Sequence, residues 1–598
     1  MRVFAAALTL QLAAAGFRGH EVERLSSRHT VVRHAAAAAP LAPPDYAAAL
    51  LRVAASDSIA ASDRSTGGVG SPVFPDKYFE FVPEHLGAVR TWAPYAPGPT
   101  LMLEPKLSKP CFKASSAAAS ALVKHGSDGT FGGNVTFEAR EKSSLLCTDF
   151  YLVASLQTFH VLEVGEKGKT VLQIEGMSGE EAKQVAAAGW QVFCFSGGEL
   201  ATLESVYETV LLFTAQLGKK VGDAEALRNI QWLKDYMSGT PGALGKHFGE
   251  RRSTTDVEIK EELIGDGDLF CIVRFDGLDP IINWGTGGNC GHNVMALRLE
   301  GVLHIVEAQS KSGYWPKDYV QRNTFKEWIK MAKQADYNVL WLPLSAASKS
   351  KFNAKQAASI FEAEYESLLY GFPNMLWGWL DTANGRNFPS GSSGNVSSPL
   401  SNELLASVFS VLDPLLNPPG PQTMPSLWNG ALSHRLGLTP AAAANQTTAQ
   451  LMALARAQKK SFGDLLAMPE QDKWEYRLAD SSCGRKAGCT GPAQVCNVFV
   501  CKMWRAGGMF SADFNCGEQA PIDTYSMALF DEKPTLPAAC KAADPMNDQF
   551  CQILGQWRLA LPSYNSVKPF TNMREHCPTQ SPDYASSFWA PSSANKNC

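Results

Sequence analysis

Three residues of this chain combine a reactive side chain with surroundings that could put it to use: Cys496, His292 and Glu307. Cys496 opens the stretch Pro492 to Phe510, PAQVCNVFVCKMWRAGGMF, in which Val495, Phe499, Met503 and Trp504 recur at helical spacing before a Gly507-Gly508 stop. The spacing predicts a helix that buries one apolar stripe and carries the cysteine in its first turn. A thiol there lies near the positive end of the helix dipole, which favours the thiolate, the form that attacks carbonyl carbon. Cys501 points about 140° away around such a helix and cannot share that role. The competing reading is that Cys496, in a cysteine-rich exported chain, is half of a disulfide.

The histidine and the glutamate fall on a predicted hairpin. Two alternating runs, Gly291 to Leu299 and Val302 to Gln309, are joined by the two turn residues Glu300-Gly301. In the tight register Leu299 faces Val302, so Val294 stands opposite Glu307 and His292 opposite Gln309. His292, Glu307 and Gln309 then emerge on one face, with Glu307 the diagonal neighbour of His292. A carboxylate that reaches an imidazole fixes its tautomer and raises its basicity. Gln309 is the neutral alternative for that duty. His304 lies on the opposite face as a surface or cross-strand histidine, and for His292 a hydrogen-bonded strand histidine without catalytic duty is the competing reading.

The order strand-His, strand-Glu, helix-Cys resembles the circularly permuted papain-like superfamily, which includes NlpC-type amidases, YiiX-like proteins and the lecithin:retinol acyltransferase group. The matching elements are Gly267-Asp268-Leu269, Gly291-His292, Glu307-Ala308, Tyr370-Gly371, and Cys496 with Ala506-Gly507. Tyr370 to Thr382, YGFPNMLWGWLDT, and Met468 to Tyr476, MPEQDKWEY, are similar to a eukaryotic branch of that superfamily. The similarity runs from Gly265 to about Phe530. Asn497-Val498 stand where the bacterial pattern has Ser-Glu, and a long insertion separates Tyr370 from Cys496. The resemblance implies an α+β catalytic domain, an antiparallel sheet plus the cysteine helix. It also implies a thiol hydrolase cleaving amide or peptide-like bonds, with His292 as general base and acid, Glu307 orienting it, and Tyr370 as a second polar contributor beside the Cys496 backbone N–H. Two other functions stand beside it: a lipid or ester acyltransferase or esterase, and a non-catalytic, disulfide-rich binding protein.

Around this domain the chain divides into further segments. Arg2 and the apolar run Val3 to Ala15 have the form of a secretory signal peptide, residues 1–15, followed by an Ala/Ser/Pro-rich linker or propeptide, 16–70. An N-terminal α+β or β-rich domain is expected over 71–250, the permuted papain-like domain over 251–530 with a helical insertion at about 383–480, and an irregular cysteine-rich tail stapled by disulfides over 531–598. Export fits the 14 cysteines and the sequons at Asn134, Asn395 and Asn445, which would be glycosylated there. Of the cysteines, nine lie from Cys483 onward and five before it. Reserving Cys496 as a thiol leaves eight late cysteines for local bridges and one early cysteine over. Cys271, inside the apolar run Leu269 to Val273, is the expected buried thiol. The 54 basic and 58 acidic residues give no electrostatic reason to expect nucleic acid as a partner. Zinc-site spacings are absent, so no structural metal and no cofactor are expected. No transmembrane segment is expected either, because no run reaches about 18 apolar residues. The expected substrate is peptide-like or acyl.

Overall fold

The computed structural model describes the chain over residues 84–195, 248–371 and 424–565, with breaks inside each span, a short strand at His29–Val31, and the single residues Leu227, Ile230 and Pro569. The protein is mixed α+β, built on antiparallel sheets with helices against them. Six strands make the sheet that carries the hairpin: β1 (Leu269–Val273), β2 (His292–Leu299), β3 (Val302–Gln309), β4 (Tyr319–Thr324), β5 (Asn338–Leu342) and β6 (Cys551–Leu554). Their spatial order is β4-β3-β2-β1-β5-β6, with every neighbouring pair antiparallel.

The expected hairpin register holds from the turn, where Leu299 is opposite Val302, up to Met295 opposite Val306, where the recorded pairing of the two strands ends. Its connection needs two left-handed residues, and Glu300 and Gly301 adopt φ of 51° and 83°. One face of the sheet buries Phe270, Ile272, Val294, Ala296 and Ile305 under α1 (Phe325–Gln334). That helix starts where Thr324 accepts the Glu327 N–H at 3.3 Å, and it turns Phe325, Trp328 and Ala332 inward.

Helices α2 (Met424–Arg435) and α3 (Thr448–Ala457) fall in the segment expected to be a helical insertion. Arg435, at the end of α2, forms a fully buried pair with Glu470 at 2.9 Å, and Tyr476 donates to the same carboxylate at 2.5 Å. Two carbonyls, Leu465 O and Met468 O, take up further guanidinium hydrogens.

Helix α4 (Cys496–Ala506) carries the candidate nucleophile, and α5 (Pro521–Ser526) follows it. A single apolar stripe was the expectation for α4; instead every residue from Cys496 to Trp504 is buried. The reason is that elements distant in sequence close over its outer side. Phe361 and Tyr365 pack their rings on Phe499, Cys501 is bridged to Cys516, and Lys502 and Arg505 pair with Asp472.

Ahead of this sheet lie two further antiparallel sheets sharing one core that includes Val89, Phe137, Tyr151 and Trp190. Their strands include Phe131–Ala139, Asp149–Ala154 and Phe159–Val164, in keeping with a β-rich N-terminal domain. His29–Val31, within the 16–70 linker or propeptide, adds a parallel edge strand to one of these sheets.

Two expectations need correction. Cys271 is not a thiol: it is bridged to Cys290. β1 and β2 are neighbours with Cys271 opposite Asn293, so Cys290, just before β2, comes to a Cα separation of 5.6 Å, a bridgeable distance. Cys194, buried in Trp190–Phe195, retains its thiol. The tail is not irregular over its described part. Helix Ala538–Ala543 is stapled to β6 by Cys540–Cys551, β6 pairs with β5 at the sheet edge, and Trp557–Leu559 pairs with Phe248–Glu250.

Candidate active site

Cys496 is the first residue of α4, with Val495 as an N-cap in extended conformation whose side chain offers no capping bond. The first amides of a helix have no intrahelical acceptor, so they point past the thiol with the positive end of the dipole. What holds this end in place is a strap of residues 367–371. On one side it bonds to β4, through Val320 N–H to Leu368 O and Ser367 N–H to Val320 O, both at 2.7 Å. On the other, Gly371 N–H donates to Gln494 O at 2.7 Å and Gln494 N–H to Leu369 O at 3.0 Å. Tyr370 therefore sits in a parallel bridge with Gln494, two residues ahead of the nucleophile.

The other end of α4 is tied to the sheet through the Gly267-Asp268 pair. Trp504 Nε1–H donates to Gly267 O at 3.0 Å. Gly267 has φ of 86°, and a Cβ there would lie 2.8 Å from Leu344 Cδ1, so only glycine fits. Asp268 is wholly buried and accepts from Gly265 N–H at 2.7 Å, Leu344 N–H at 2.9 Å and Trp341 Nε1–H at 3.0 Å. Burial raises its pKa against the opposing pull of Lys349 and these hydrogen bonds. The aspartate is thus an anchor that joins β1, β5 and the following loop, with no contact to the thiol or the imidazole among its hydrogen bonds.

His292 opens β2 and Glu307 stands on β3, and the diagonal expected from the register closes as a contact: His292 Nε2 lies 2.9 Å from Glu307 Oε2. His292 is 7% exposed, Glu307 0% and Cys496 1%. Burial opposes the charged imidazole, but hydrogen bonds from the ring to Cys496 and to Glu307, and the charges of both, outweigh it and push the His292 pKa up to about 10. With Nε2 occupied by Glu307, Nδ1 is the ring nitrogen left for the thiol. The Cys496 sulfur also lies 3.9 Å from Asn497 Oδ1, and Asn497 Nδ2–H donates to Gln519 O. The arrangement holds a protonated imidazole beside a sulfur at neutral pH, which keeps a proton ready for a leaving group.

The remaining expected site residues divide. Gln309 donates to Tyr337 OH at 3.2 Å, so among the two named for orienting His292 the carboxylate makes the contact. Tyr370 is buried next to the nucleophile's lead-in, placed there through its backbone. His304, as expected, is off this face, with Nδ1 2.9 Å from Val302 O. Asn134 is half-buried in the strand Phe131–Ala139, between two neighbouring strands; Asn395 and Asn445 lie outside the described residues. Gln494 and Asn497 had no expected role. Their position flanking Cys496 was visible, but the partners that give them meaning, Tyr370-Gly371 and Gln519, are remote in sequence. Among the described residues no group of three or more His, Cys, Asp or Glu could hold a metal, and no helix is long and apolar enough to cross a membrane. Comparison with protein-family models, with curated proteins and with solved structures finds no match.

Proposed function

We propose that this protein is an exported cysteine hydrolase of the permuted papain-like kind that cleaves amide or peptide-like bonds through a thioester. The observation that carries the reading is the line Cys496, His292, Glu307: a helix-start thiol whose interaction with His292 helps raise the imidazole's pKa, and a buried carboxylate that holds the same ring at 2.9 Å. The strand-His, strand-Glu, helix-Cys order and the similarity from Gly265 to Phe530 support the fold assignment. Among the described residues Cys194 and Cys496 keep their thiols while Cys271, Cys290, Cys501, Cys516, Cys540 and Cys551 are paired, and it is the place of the Cys496 thiol beside His292 that favours an enzyme over a purely structural, disulfide-rich binding protein. Those three bridges also suit the oxidising compartment that a signal peptide implies.

In this reading the Cys496 thiolate attacks the carbonyl carbon and the C–O π pair moves to oxygen, where the Cys496 backbone N–H is the first donor to the oxyanion. The imidazolium of His292 gives its proton to the leaving nitrogen as the C–N bond breaks, and the thioester forms. Neutral His292 then takes a proton from water as it adds to the thioester. The returning proton and the departing sulfur restore the ion pair. Glu307 keeps the ring oriented through both halves.

The test is capture of the acyl-enzyme. Incubation with a panel of peptide amides and long-chain esters, acid quench and intact-mass analysis should show an acyl adduct mapped to Cys496 from the amides. The adduct should be lost in Cys496→Ala. Acylation by esters alone would move the assignment to acyl transfer, and turnover by Cys496→Ala would remove the thiol from the mechanism.

A further inference from the structure

We propose that Gln321 is a positioning residue of this site, donating its Nε2–H to Glu307 Oε1 and so holding that carboxylate against His292. The inference rests on the Cys-His-Glu reading for its catalytic meaning, but its observations are independent. Glu307 on β3 and Gln321 on β4 are directly opposite in the antiparallel register, so their side chains leave the sheet on the same face with Cβ atoms about 5 Å apart. Both are buried. Glu307 Oε2 is taken by His292, while Oε1 is buried with no hydrogen-bond partner among the described residues. Gln321 shows the complement. Its Oε1 accepts from Asn323 Nδ2–H at 3.1 Å, and its Nε2 is buried with no partner among them.

A carboxylate oxygen can only accept and an amide nitrogen can only donate, and each left alone in the interior carries a desolvation penalty that the other removes. Rotation about the terminal torsions, which are broad and soft in Gln and Glu, is enough to join them. Asn323, by fixing which end of the Gln321 amide is the acceptor, leaves the donor end for Glu307. The polar line of the site then crosses three strands: His292 on β2, Glu307 on β3, Gln321 and Asn323 on β4. A carboxylate held at both oxygens cannot swing when the imidazole exchanges its proton, which is what a positioning residue contributes.

The experiment is an NMR titration of ring-labelled histidine in the full-length chain, with the His292 signal identified by its loss in His292→Ala. In Gln321→Leu the unanchored carboxylate grips the imidazolium less well, and His292 should titrate about one unit lower, a tenfold weaker proton affinity. In the unbranched Gln321→Met, which keeps the length of the side chain but offers no donor, the same anchor is missing and His292 should titrate lower by a similar amount. A His292 titration unchanged in either folded variant overturns the proposal. If Gln321→Leu does not fold, Gln321→Met decides alone, a fall supporting it and no shift overturning it. The readout does not use the reactivity of Cys496. A protein whose thiol shows no His292-dependent activation would therefore defeat the hydrolase reading and leave the titration result for Gln321 intact.

Discussion

Replacing Glu307 by Gln keeps the shape of the side chain and one acceptor oxygen but removes its charge. The imidazolium of His292 is stabilised against burial by hydrogen bonds to Cys496 and Glu307 and by the charge of each, so the substitution strips one partner's charge and leaves the other's. A hydrogen bond between charged groups contributes roughly 1.5–3 kcal/mol more than none, which corresponds to about one to two units of pKa. The ring should therefore titrate at about 8 to 9 instead of about 10. The assay is the rate of Cys496 alkylation by iodoacetamide as a function of pH, followed by peptide mapping. The alkaline inflection, where the sulfur loses its imidazolium partner, should move down by those one to two units, and turnover should lose its alkaline limb over the same interval. An alkaline inflection that stays in place in Glu307→Gln would refute the claim that Glu307 sets the protonation of His292.

Other perturbations separate the chemistry from the scaffold. Cys501→Ala removes a bridge to Cys516 across 15 residues and should lower stability by about 3 kcal/mol in denaturant unfolding, with Cys496 alkylation retained. Arg435→Met leaves Glu470 buried without its partner and should cost about 3–5 kcal/mol, read as a fall in the unfolding midpoint. The linkage of His292 has a definite sign. A folded-state pKa of about 10 against an ordinary 6.5 means that its contribution to stability is fully present below about pH 6.5 and is lost as pH rises toward 10. Denaturant midpoints should accordingly fall more steeply between pH 7 and 10 in the native protein than in His292→Ala.

How much of this was legible in the sequence follows from the range of the interactions. The His292–Glu307 contact could be read because a two-residue Glu300-Gly301 turn leaves the register no freedom, and the diagonal follows from alternation. The α4 helix could be read because its apolar spacing and its glycine stop are local. What surrounds α4 could not: the ring pair Phe361–Phe499, the Lys502 and Arg505 contacts to Asp472, and the Tyr370-Gly371 strap on Gln494 all join segments far apart in the chain. Cys271 looked like a small core hydrophobe because its run is uniformly apolar; only the pairing of β1 with β2 brings Cys290 to it. Cys551–Leu554 is too short to announce itself as a strand and gains its place from β5 and from the Cys540 bridge.

The central claim is that Cys496 is a nucleophile activated by His292. The most direct test is limiting iodoacetamide at neutral pH on the purified protein, with every cysteine peptide quantified by mass spectrometry. Fast, selective alkylation of Cys496 that slows by an order of magnitude or more in a folded His292→Ala variant is the result this structure predicts. Recovery of Cys496 in a disulfide, or alkylation at the same rate in both proteins, would contradict it.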